Sequence, residues 1–93
     1  MAEIHNDFER LRQFANALQQ YIDNLDEANN FLDQNFSDIG EVWCDDNYRK
    51  FEEVYGQLRQ IMKGFQDNCA HQIPYLQQLA NILEEAHNLR TSL

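Results

Sequence analysis

The sequence predicts an all-α fold: an antiparallel hairpin of two long helices, about 3–37 and 45–90, that pairs into a four-helix bundle. Three observations predict it. Apolar residues recur at alternating steps of four and three along both halves of the chain, which is the spacing of a helix-packing seam. A cluster of turn residues interrupts that spacing once, near the middle. Finally, 93 residues with three Gly and a single Pro leave room for one domain, 1–93, with few helix breakers.

The first helix is read from Ile4, Phe8, Leu11, Ala15, Leu18, Ile22, Leu25, Asn29, Leu32 and Phe36. In heptad letters the d positions are all Leu or Ile, and the a positions are Phe8, Ala15, Ile22, Asn29 and Phe36. A neighbouring g column, Phe14, Tyr21 and Ala28, widens the stripe. The pattern ends at Ser37-Asp38-Ile39-Gly40, where Gly40 suits a C′ position. Asn29 stands out because a buried Asn in a seam fixes register and partner choice at a cost in stability; exposure to solvent is its alternative.

The second helix begins after Trp43, with Asp45 or Asp46 as N-cap and the acidic groups near the positive end of the helix dipole. Its d column reads Phe51, Leu58, Phe65, Gln72, Leu79 and Ala86, and its a column Tyr48, Tyr55, Met62, Cys69, Leu76 and Leu83. The g column reads Val54, Ile61, Asn68, Tyr75, Ile82 and Leu89. The register runs through Pro74 without a slip, so Pro74 is expected to kink one long helix; the alternative is a short third helix starting there. Gly56 and Gly64 are read as points of close helix approach, and Arg90 to Leu93 as a frayed end.

A helix with one neighbour needs only a narrow seam, whereas a stripe of three apolar columns is wide enough for two. One neighbour is the chain's own second helix; the other is expected from a second polypeptide. The residues assigned to that interface are Phe14, Tyr21, Asn29, Val54, Ile61, Tyr75 and Ile82.

Charge narrows the kind of partner. The formal net charge is −9, and no basic residue falls between Arg12 and Arg49. Nucleic acid and anionic membrane surfaces both ask for clustered Lys and Arg, so neither is an expected partner. No run of about 18 apolar residues offers a membrane span. The N-terminal residues lack the basic and apolar regions of a cleavable signal peptide, so the chain is expected to be cytoplasmic as made, and any secretion would use another route. Cys44 and Cys69 share one predicted helix and would lie about 38 Å apart at about 1.5 Å per residue, which excludes a bond between them.

Chemistry is sparse. The chain has no phosphate-cradling glycine loop, no nucleophile elbow and no Cys-X-X-Cys pair, and Ser37 and Ser92 fall in a turn and a tail. Glu84 and His87 have the Glu-X-X-His spacing of metal-binding bundles, but the inward Glu such a site needs is missing from the first helix, so they are read as an exposed pair. His5 and His71 are read as rim residues. No catalytic residue, cofactor or metal is expected, and the chain is read as a non-enzyme.

The turn carries the most specific feature, Glu41-Val42-Trp43-Cys44-Asp45-Asp46-Asn47-Tyr48-Arg49-Lys50-Phe51. A Trp between two long helices, with a core-facing Phe eight residues later, resembles the WXG family of early-secreted-antigen-like hairpins exported by type VII secretion systems. The turn motif is then Trp43, Asp45 and Phe51, with Asp45 where the family has Gly. The resemblance implies pairing into a four-helix bundle with itself or a related hairpin, including the N-terminal hairpin of a larger effector. The family's Tyr-X-X-X-Asp/Glu export signal has no match in the tail, since Tyr75 is followed four residues on by Leu79; the Tyr48 and Glu52 pair lies inside the bundle. An adaptor unrelated to secretion shares the same physical features.

Overall fold

A computed structural model describes residues 3–91, with side chains over 7–91. Ser92 and the side chains of Ile4 and His5 lie outside the described residues. The chain forms two helices, α1 over Glu3–Gly40 and α2 over Asp46–Thr91, lying against each other in a rod of 73 × 17 × 17 Å. Three cross-helix hydrogen bonds set an antiparallel register. Arg12 meets Glu84 near the open end, Asn29 meets Gln66 at mid-length, and Asp33 meets Arg59 towards the turn.

α1 continues one turn beyond the predicted break, through Ser37 to Gly40, and Gly40 is not a left-handed C′ residue, since no glycine among the described residues has positive φ. Its smallness serves another purpose: a Cβ at Gly40 would lie 2.5 Å from the Tyr48 hydroxyl. The last carbonyls of α1 are satisfied by the turn, where Glu41 N donates to Asp38 O and Trp43 N to Ile39 O at 2.9 Å. α2 then starts on Asp45, whose Oδ1 accepts from Tyr48 N at 3.0 Å, so Asp45 and not Asp46 is the N-cap. Rings close the turn. Phe36 stacks on Tyr55 at 4.3 Å and on Tyr48 at 5.4 Å, while Trp43 meets Tyr48 edge-on at 5.4 Å and Phe51 at 6.3 Å.

Pro74 lies inside α2, which runs through it unbroken to Thr91, so a separate third helix is absent and Arg90 and Thr91 are helical where fraying was expected. The proline removes the donor for the carbonyl of Ala70, but both residues are exposed on the same side of the helix, where water serves that carbonyl instead. Gly56 and Gly64 do not mark close approach, because a Cβ at either would meet nothing within 4 Å. The buried residues are few: Phe8, Ala15 and Asn29 of α1, and Ile73 and Ala80 of α2.

Candidate functional site

The seam between the helices does not use the columns that the apolar pattern ranks highest. On α2 it is made by the a column together with the e column beside it: Tyr55, Met62, Cys69, Leu76 and Leu83 are half-buried, Ile73 and Ala80 are buried, and Arg59, Gln66 and His87 contribute their stems. On α1 the a residues face the seam, flanked by Leu11, Leu18 and Leu25 on one side and by Arg12 and Asp33 on the other. The d residues Phe51, Leu58 and Phe65, expected in the seam, are instead exposed.

The same rotation away from the seam carries both helices to one side of the hairpin, because they run antiparallel. The d and g columns of α1 and α2 therefore form a single open face. Tyr21 of α1 crosses it to meet Phe65 of α2 edge-on at 6.3 Å. Of the residues assigned to an interface, Phe14, Tyr21, Val54, Ile61, Tyr75 and Ile82 all lie here, with exposures running from 48% at Tyr21 to 70% at Ile61. Leu58, Phe65, Leu32 and Leu89 share the face, and Phe31 flanks it. Asn29 departs from that set. It is only 2% exposed, enclosed by the chain's own α2, where its Nδ2 donates to Gln66 Oε1 at 3.0 Å. Its amide is satisfied inside the hairpin and takes no part in the open face.

The opposite side is polar and tied across. Arg59 grips Asp33 with two bonds, Nε to Oδ1 at 2.8 Å and Nη2 to Oδ2 at 2.9 Å, and the Tyr55 hydroxyl donates to the same carboxylate. The Arg59 bond, followed by that of Tyr55, holds Asp33 below the usual carboxylate range. Burial, followed by its bond to Asp33, raises Tyr55. Nearer the open end Arg12 donates to Glu84 at 2.6 Å and to Asn81 at 2.7 Å. Glu84 and His87 are thus not an exposed pair: Glu84 is held by Arg12, and His87 lies 6.0 Å from the Phe8 ring. Among the described residues no group of three or more His, Cys, Asp or Glu gathers as for a metal ion, and no helix is long and apolar enough to cross a membrane. Cys44 is exposed, Cys69 half-buried, and both are free thiols.

The residues missed by pattern alone are the e column of α2, whose Arg, Gln and His members do not register in an apolar count. The available signal was Ile73 and Ala80, seven apart, with Arg59 at the same heptad position. Exposed d residues could not be told from seam residues before the pairing was known.

The rod exposes much surface for its mass. The chain exposes 7226 Å². A compact monomer of 11.1 kDa is expected to expose about 5,650 Å², so the hairpin carries roughly 1,600 Å² in excess. That is about the area each partner buries in a large, permanent interface.

The fold and this face define the class of the protein: an all-α helical hairpin with one polar side, cross-linked by ion pairs, and one apolar side left open. Comparison with protein-family models, with curated proteins and with solved structures gives no match to this chain.

Proposed function

We propose that this chain is a non-catalytic interaction module that completes a four-helix bundle with a second helical hairpin, its own copy or a related one, in the manner of WXG-type partners in type VII secretion. The observation that carries this reading is the d and g face, where Phe14, Tyr21, Val54, Leu58, Ile61, Phe65, Tyr75 and Ile82 are exposed along a 73 Å rod. Patches of that extent on soluble proteins mark interaction sites. A second hairpin is the occupant because its shape is the one the face lacks. Two further helices laid on the open side give each helix of this chain two neighbours.

The secretion part rests on Trp43, the Asp45 cap and Phe51 at the turn, together with the acidic composition of the chain. Within that reading the chain serves as partner to a larger effector, made in the cytoplasm and leaving it in company. Light scattering on the chain alone, and on the chain co-expressed with a WXG-type hairpin, tests the pairing. A two-hairpin mass is expected in at least one of the two samples. A chain of 11.1 kDa in both overturns the proposal.

A further inference from the structure

The open face is not apolar throughout. At mid-length, α2 places Asn68 in the g column and Gln72 in the d column, both exposed, with Ile61 and Phe65 on one side and Tyr75 and Leu79 on the other. Exposed His71 of α2 and Asn24 of α1 border this polar waist. Neither Asn68 nor Gln72 hydrogen-bonds through its side chain to another described residue. Asn68 stands at the midpoint of Asp46–Thr91. In the register set by Asn29 with Gln66 and by Arg12 with Asn81, Gln72 lies level with Tyr21, the midpoint of Glu3–Gly40. The waist therefore sits at the centre of the rod.

That position has a consequence for pairing. A primary amide carries both donors and acceptors, so it satisfies an identical amide, whereas an amide covered by hydrocarbon loses its water and gains nothing. Two copies laid face to face bring waist to waist only at zero stagger. A slip of one heptad, about 10 Å, sets the amides against Ile61 and Phe65 or against Tyr75 and Leu79. Charge leaves this face open to a second copy, although each chain carries −9. The c, d and g columns that make this face hold no Asp, Glu, Lys or Arg between Arg10 and Asp38 of α1, or between Lys50 and Glu85 of α2. Like charges stay on the far sides when two such faces meet.

Resting on the pairing reading above, we infer that Asn68 and Gln72 form a register key, admitting a second copy of this chain at zero stagger and rejecting slipped pairings. Such an amide layer trades stability for a unique alignment.

Distances between spin labels test it. A label is placed at Gln57→Cys, on the exposed rim of the face, in a Cys44→Ser, Cys69→Ser background, with circular dichroism confirming the helices. The chain is expected to dimerise and to give one narrow inter-chain distance. Adding Asn68→Leu with Gln72→Leu is expected to keep or tighten the dimer but to split that distance into populations about 10 Å apart. A dimer whose single distance survives both leucines overturns the register key and leaves pairing intact, as does a native dimer with several distances. A chain that stays monomeric overturns the second copy as the partner.

Discussion

The two long sides of this hairpin are built from the same two helices and finished in opposite ways. On the polar side Arg59 holds Asp33 and Arg12 holds Glu84, so long side chains cross the seam and close it with hydrogen-bonded charge. On the open side Tyr21 of α1 meets Phe65 of α2, and the large apolar residues around them are exposed. The difference is the one that the proposed pairing would use. Ion pairs work where solvent stays, since partly exposed charges keep their hydration. Exposed Ile, Val, Phe and Leu add stability only when solvent is removed from them, as the proposed pairing would do.

The largest test of this contrast strikes the seam itself. Ala80 is 0% exposed, so Ala80→Asp buries a carboxylate with no partner and is expected to cost about 3 kcal/mol or more, abolishing the cooperative helical melt by circular dichroism. On the open face the outcome should divide differently. Ile61→Glu is expected to leave the hairpin helical yet weaken pairing by about 1.5–3 kcal/mol, a tenfold or greater loss in sedimentation equilibrium. Equal loss of helix in the two variants would erase the distinction between the sides.

Smaller effects sharpen it. Asn29→Ala leaves Gln66 without its donor inside the seam and is expected to lower stability by about 1 kcal/mol in urea unfolding, with no change in register. The smallest concerns pH. Asp33 titrates below its ordinary value of about 3.9, so its contribution is present above that pH and is lost as pH falls through the lower, folded-state value. Asp33→Asn should flatten the fall in melting temperature below about pH 4. The effect is modest because the carboxylate is partly exposed and solvent screens it.

Much of this architecture is legible in the sequence, and the reasons for the rest are specific. The four-three spacing from Phe8 to Phe36 reads as a helix because it records which residues share one face. The Asp45 cap is legible because few residue types can accept from Tyr48 N. The g column, Phe14, Tyr21, Val54 and Ile61, was readable as surplus to a two-helix seam. What the spacing does not reveal is which of three apolar columns the partner helix covers. α2 turns its e side inward because Ala80 allows close approach, because Arg59 buries its stem while its guanidinium reaches Asp33, and because His87 meets the Phe8 ring. Gly40 reads as a helix stop only until the Tyr48 ring is seen to need the space. Asn29 reads as an interface residue only until Gln66 is found opposite it.

Sedimentation equilibrium of the untagged chain, taken from low to high micromolar with helicity followed on the same samples, tests most directly whether the open face can remain bare. The expected result is a mass of twice 11.1 kDa that falls towards 11.1 kDa on dilution, with the single hairpins keeping their helical signal. A mass of 11.1 kDa throughout, with full helicity and a cooperative melt, would contradict pairing with a second copy.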